Sequence, residues 1–365
     1  MRSTIVVLLL AFTLGGIVTA APPVPLQLTD EAFWKLSSAS SEIDGLFRSD
    51  NLLSNETNFQ YVIPGLLEVA KPGRVYMGVG PEQNFTYIAA LKPSMAFIVD
   101  IRHGNLDLHL MYKALFEMSA NRAEFMSKLF SRKQPAALTA ESTANQLFSA
   151  YLRSEPSEEL FNTTLRDVIS HLKTKHKFPL TDGDLEGIEW ALSNYYKFGP
   201  NIFYNSSDLQ TAPAIVGVED TFAGRRGGGM NYVTYATLMT ADDGSGLNRS
   251  YLSNEENFNV LKNLESKNLL VPVVGDFGGP KAIREVGKYL KSIDAMVSAF
   301  YLSNVEQYLS QQGKQSAFLA NVASLPIDET SRFIRSGGGG FGGGGGMSDS
   351  RLGFMFEESR QYKDR

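Results

Sequence analysis

Two glycines and an acid form the sharpest chemical pattern in the chain. Val75-Tyr-Met-Gly78-Val79-Gly80-Pro81-Glu82 ends an apolar run in a glycine turn, and Asp100 closes the next apolar run 20 residues after Gly80. Glycine has no Cβ, so the backbone can turn tightly there and a ligand can approach it closely. An acid at that interval is placed to accept hydrogen bonds from ribose hydroxyls. Glu82, at the expected start of a helix, suits the positive end of the helix dipole. The same residues also read as a plain tight turn with a first-turn helix acid. Arg102, His103, Asn105 and His109 follow Asp100 directly. Asn105 and His109 are four apart and share a helix face. That placement suits general acid–base or metal chemistry, although a histidine on an apolar helix is more often packed and hydrogen-bonded.

Two further groups end apolar runs in the second half: Gly275-Asp276-Phe-Gly278-Gly279 and Ser303-Asn304-Val-Glu306. Asp276, Asn304 and Glu306 are therefore candidate crevice groups, with helix capping as the alternative role for the acids. No His-Glu-x-x-His or similar zinc spacing occurs, so no metal is expected. The absence of a Gly-x-Ser-x-Gly elbow argues against an α/β-hydrolase, and the absence of a Walker A sequence argues against a phosphate cradle of that kind.

The elements that must hold these groups follow from periodicity. Residues 75–79 and 95–101 read as buried strands joined by a helix that opens at Pro81, a right-handed parallel βαβ unit. A short amphipathic helix opens at Thr29. Another is expected over 54–70, capped by Ser54 or Asn55 and shortened or kinked at Pro64-Gly65. Residues 107–198 carry helical apolar spacing and read as a helical insertion or cap. A short strand is expected at 214–218, and a flexible loop at 222–230. A second run then gives a helix at 254–262, a strand at 269–274, a helix at 280–291, a strand at 296–302 and a helix from 305. Residues 317–322 read as one more strand. From Ser336 the chain becomes glycine-rich, and 336–365 is expected to be a flexible tail.

Leu53-Ser-Asn-Glu-Thr-Asn-Phe59 recurs as Leu252-Ser-Asn-Glu-Glu-Asn-Phe258. Ser253 with Glu256 fits a capping box. Capping leaves the rest of the pattern unexplained, so two related αβα halves about a central crevice are expected, with ligands at the switch point.

The glycine turn and Asp100 together resemble the cofactor end of class I S-adenosylmethionine-dependent methyltransferases. Gly78-Val-Gly-Pro-Glu-Gln-Asn-Phe85 and Phe300-Tyr-Leu-Ser-Asn-Val-Glu306 are also similar to segments of an uncharacterised bacterial Rossmann-like family. The likeness extends over roughly residues 30–335, on the scale of one domain. It implies an α/β fold with a Rossmann-like, methyltransferase-like, mostly parallel sheet flanked by helices, and it brings no known activity. It also implies a cofactor site at Gly78, Gly80, Glu82 and Asp100, with S-adenosylmethionine or a related nucleoside as ligand. The pattern departs from the family's in three places. Tyr76 stands where methyltransferases usually carry an acid, and Glu82 where they carry a third glycine. Gln83 stands where a dinucleotide fingerprint wants its third glycine. Glu82 would repel a pyrophosphate but tolerate a cationic amine, so NAD and FAD are not expected. The alternative reading is a non-catalytic exported module, binding a ligand or a protein, that has lost the cofactor site.

Composition sets the outer limits. The chain has 365 residues, 43% hydrophobic and 20% charged, which suits one large α/β domain over 21–335. A net charge of −5 gives no reason to expect nucleic acid. There are no cysteines, hence no disulfides, thiolate metal sites or lipid-bearing Cys. Arg2, the apolar run from Ile5 to Leu14 and Val18-Thr-Ala20 read as a signal peptide cleaved after Ala20, giving a periplasmic or extracellular protein. That run is too short to span a bilayer comfortably, and no later segment is apolar for long enough. No stable membrane insertion is therefore expected after cleavage.

Overall fold

Four apolar runs form the buried parallel part of the sheet because both of their faces are covered: β1 (Val75–Gly78), β2 (Met95–Asp100), β3 (Leu270–Val274) and β4 (Val297–Ser303). Continuous burial without polar alternation is what a parallel sheet covered by helices requires. β5 (Arg332–Arg335) and β6 (Arg351–Phe354) complete a six-stranded sheet in the order β3-β2-β1-β4-β5-β6, in which only β6 runs antiparallel. The computed structural model describes residues 24–45, 47, 51–204, 206, 233–336 and 350–363. The expected signal segment 1–20, strand 214–218, loop 222–230 and glycine run 337–346 lie outside the described residues.

The helices of the first half are α1 (Asp30–Ser40), α2 (Ile63–Val69), α3 (Gln83–Leu91) and α4 (His103–Met118). Next come α5 (Arg122–Phe130), α6 (Ala144–Leu152), α7 (Glu158–Ser170) and α8 (Asp182–Phe198). The second half adds α9 (Tyr235–Thr240), α10 (Glu255–Ser266), α11 (Ala282–Ser292), α12 (Val305–Gln311), α13 (Gln315–Ala323) and α14 (Met355–Ser359). From β1 the chain steps to β2 and β3 in one direction, then crosses to β4 and β5 in the other. Right-handed crossovers therefore put α3 and α4 on one face and α11 and α13 on the opposite one. The packing agrees: α10 lies against α3 and α4, while α11 lies against α1 and α13. Among the described residues the connection between β2 and β3 holds the helices α4 to α10. α4 itself packs on β2 and β3, so it belongs to the cover of the sheet, and α5 and α8 stack on it.

Several elements differ from the sequence expectation. Residues 317–322 are not a strand but the middle of α13, where Phe318, Asn321 and Val322 recur at helical spacing and face inward. The strand lies further on, at β5, a four-residue segment whose terminal arginines hid it. The chain does not stay a tail to its end: β6 adds antiparallel to β5, with Arg332 opposite Phe354 and Arg335 opposite Arg351. Residues 54–70 are not one helix. A 3₁₀ turn, Phe59–Val62, leads into α2, and Pro64 sits in the first turn of α2, where its missing N–H costs nothing. Ser54 accepts from Glu56 N at 3.1 Å instead of capping a helix. In the second copy of the repeat the cap of α10 is Asn254, accepting from Asn257 N at 2.8 Å, not Ser253 with Glu256. Nor do the copies head two halves around a crevice, because the strand after the second copy, β3, pairs with β2 of the first.

Candidate functional site

The sheet order makes the site. β1 and β4 are neighbours whose following helices leave to opposite faces, so their carboxyl ends open a crevice at the topological switch point. A cavity of about 360 Å³ lies there. Its walls include Gly80 after β1, Asp100 at the end of β2 and Arg102 beyond it, Gly275 and Asp276 after β3, and Ser303 at the end of β4 with Asn304 next to it. The roof comes from the segment after α1. Glu42 N bonds Val274 O at 2.8 Å and Gly45 N bonds Ile101 O at 2.9 Å, which carries the chain across the strand ends. Phe47, Asn51 and Glu56 of that segment then face the cavity.

Of the ten residues named from sequence, the structure brings five to the crevice wall: Gly80, Asp100, Arg102, Asp276 and Asn304. Gly80 has a φ of +77°, a left-handed conformation, and the nearest atom to a Cβ placed there would be Asp100 Oδ2 at 3.9 Å. Asp100 and Arg102 are a buried pair. Asp100 Oδ1 accepts from Arg102 N at 2.9 Å and from Arg102 Nε at 3.0 Å, and Oδ2 accepts from Nη2 at 3.0 Å. An ionised carboxylate has about four lone-pair positions. Three are taken, and the open one lies on Oδ2, the oxygen nearer Gly80. Asp276 accepts from Lys314 Nζ at 2.5 Å and from Gly278 N at 2.8 Å, so it does not cap α11. Glu42 does that, accepting from Lys281 N and Ala282 N at 2.8 Å each.

The other five support the crevice from behind. A Cβ on Gly78 would overlap Asn84 Oδ1, so its missing side chain makes room for Asn84 rather than for a ligand. Asn84 in turn ties down the turn, donating from Nδ2 to Val79 O at 2.9 Å and to Pro81 O at 2.7 Å. Asn84 heads an Asn-x-Thr glycosylation triplet with Thr86, but it is fully buried, which leaves no room for a glycan. His109 Nε2 lies 2.9 Å from Gly80 O, which can only accept, so the ring donates. Burial holds His109 down to about 4, and it is a neutral brace of the glycine turn. Asn105 shares the buried face of α4 with His109. Glu306 holds Arg335, with Oε1 3.0 Å from Nη2. Glu82 is fully buried with no side-chain partner for its carboxylate, and burial pushes it up to about 8 against the pull of the nearby Ser54 and Glu82 backbone N–H groups. Its charge acts on the buried Tyr112, Tyr195, Tyr235 and Tyr251, and Glu82 does not line the cavity.

One crevice residue escaped the sequence reading. Glu56 is 2% exposed and accepts from Tyr301 Oη at 2.9 Å, Ser303 Oγ at 2.6 Å and Gln83 Nε2 at 3.1 Å. Burial raises its pKa, and these donors pull it back. Ser303, with φ +50°, holds a left-handed conformation rare for a side-chain-bearing residue, at a register shift in the β4–β5 ladder. Such strain gathers where surrounding structure demands it. The signal for Glu56 was present, since it is the acid of the first Leu-Ser-Asn-Glu copy.

Sheet order, crossovers and a switch-point crevice define a Rossmann-like α/β protein. Residues 52–180 and 232–363 match the model of a domain family of unknown function (DUF7790), and the chain belongs to that family. No curated protein matches it. No helix among the described residues is long and apolar enough to cross a membrane.

Proposed function

We propose that the crevice binds a compact nucleoside-type molecule, neutral or cationic, with S-adenosylmethionine the first to be tested. The observation that carries this reading is the pairing of Gly80 with the open lone pair on Asp100 Oδ2. An open glycine and an acid on adjacent strand ends are the parts a ribose needs. Charge points the same way. Among the described residues the wall presents the carboxylates of Glu56, Asp100 and Asp276 with the guanidinium of Arg102, an acidic balance that disfavours a pyrophosphate and hence NAD or FAD. The methyltransferase likeness rests on this geometry and on the sequence motif. The residues 1–20 support an exported setting, checked by N-terminal sequencing of the secreted protein for Ala21.

A second reading is favoured by a separate observation: Gly78 is filled by Asn84, and Asp100 is largely consumed by Arg102. A module that kept the fold and lost the cofactor would look this way. Thermal unfolding with S-adenosylmethionine, S-adenosylhomocysteine, adenosine and NAD separates the two. A ligand at 100 times its Kd stabilises by about 2.7 kcal/mol. A dose-dependent Tm rise with the first three and none with NAD supports the nucleoside reading. A flat response to all four at millimolar concentration overturns it and leaves the non-catalytic module.

A further inference from the structure

We propose that His103, Asp107 and Asp184 form a binding site for one divalent first-row metal ion, on the seam between α4 and α8 and next to the crevice. The donor atoms converge: His103 Nε2 lies 2.6 Å from Asp184 Oδ1 and 3.7 Å from Asp107 Oδ1, and one ligand atom from each residue lies within 4.8 Å of the others. Ligands bound at about 2.0–2.2 Å sit roughly 3–3.5 Å from one another, a spacing these distances bracket.

Each donor is positioned by a different device. His103 and Asp107 are four apart on α4, so they share one helical face. Asp44 Oδ1 accepts from His103 N at 2.8 Å and fixes the first turn of that helix. Asp184 is the third residue of α8. Its Oδ2 is held by Thr181 N at 2.6 Å and by Thr181 Oγ1 at 2.8 Å, which leaves Oδ1 turned to the histidine. Gly187, one turn further along α8, lets that helix approach α4, since a Cβ there would overlap Asp107 Oδ2.

Two further observations point to a cation. Asp107 is 3% exposed, and its Oδ1, on the cluster side, has no hydrogen-bond partner. Two buried carboxylates also face each other with no Lys or Arg ion pair among the described residues; the one ionisable base beside them there is His103. Like charges brought together out of water need a neutralising partner, and a divalent ion supplies it. One imidazole with two carboxylates suits zinc or manganese. His103 is about half exposed, so the site can be reached from solvent.

The other histidine–acid cluster in the helical region, Glu117 with His171 and His176, lacks this need. Lys113 Nζ lies 2.8 Å and Lys175 Nζ 2.6 Å from Glu117, so the acid is already neutralised.

The test uses the full chain, stripped with a chelator and titrated with Zn²⁺ and, separately, Mn²⁺ by calorimetry. The expected result is one site in wild type and at least a tenfold loss of affinity in His103→Ala. That variant removes a half-exposed side chain, and circular dichroism checks that it stays folded. Asp107→Asn is expected to weaken binding similarly while keeping the side-chain volume. No binding of either ion to wild type overturns the proposal. So does a site lost in His171→Ala but kept in His103→Ala, because the ion would then belong to the other cluster. None of the three ligands lines the crevice, so a metal response without a nucleoside response, or the reverse, tells the two proposals apart.

Discussion

Burial sets the behaviour of single acids here more than exposed charge does. Glu82 is the clearest case. Its carboxyl titrates near 8 in the fold against a usual 4.5, so the folded chain holds that proton more tightly than the unfolded chain does. Its contribution to stability is complete below the usual value and is lost as pH rises toward 8. Glu82→Gln should therefore flatten the stability–pH profile over that window and raise stability at about pH 8 by on the order of a few kcal/mol, at about 1.4 kcal/mol per pKa unit. Urea unfolding at about pH 5 and about pH 8 measures it, and an unchanged slope refutes it. Arg102→Ala removes one side of a buried ion pair, whose side chains are only 9% and 6% exposed, and should cost about 3–5 kcal/mol. The same coupling makes Asp100 a poor probe of ligand binding, because its loss removes three of the hydrogen bonds that hold Arg102. Asn304→Arg is cleaner. Asn304 is an exposed wall residue whose side chain makes no bond among the described residues. The variant should abolish a Tm response to a cationic nucleoside while leaving the unliganded Tm in place. The sequence made Gly80 and Asp100 legible because glycine turns and strand-end acids are local patterns. Glu56 carried a signal as the acid of the first repeat copy, but its place in the crevice was not legible, because its donors Tyr301 and Ser303 lie about 245 residues away along the chain.

Among the elements, the strands with unbroken apolar runs were readable and those bounded by arginines were not. β1 to β4 declare themselves by unbroken apolar runs, and α3 by its position between two of them. β5 and β6 have four residues each and carry arginines, so periodicity says little about them. What seats them is a charge clasp formed by tertiary contact. Arg335 Nη2 lies 3.0 Å from Glu306 Oε1 and 2.7 Å from Glu358 Oε2, joining β5 to α12 and α14. Deleting residues 350–365 removes β6 and Glu358 together and leaves the edge of β5 unpaired. Open edges recruit other chains. The truncated protein should melt several degrees lower and aggregate on heating, which light scattering during a thermal ramp detects. A truncation with unchanged Tm would show that β6 adds nothing to the sheet.

For the whole molecule, the strand order interleaves the two halves of the chain. β1 and β2 come from the first half, yet their outer neighbours, β4 and β3, both come from the second. Residues 24–204 alone would expose both edges of a two-stranded parallel pair, which is too small to be stable. Expressed separately, 24–204 and 233–363 should each lack a cooperative thermal transition, and mixing them should restore one. Independent folding of either fragment would contradict that.

That interleaving has a consequence for how the protein is made. About 170 residues separate the end of β2 from the start of β3, and a ribosome adding roughly 5–20 residues per second needs about 10–30 s to deliver them. Throughout that interval the nascent chain carries two finished apolar strands with no partners for their edges. The helices from α4 to α8 emerge first and can cover one face, but they cannot donate to a strand edge. The chain should therefore lean on a holdase during synthesis, and stalled nascent chains ending near residue 240 should bind one far more than chains stalled beyond β4.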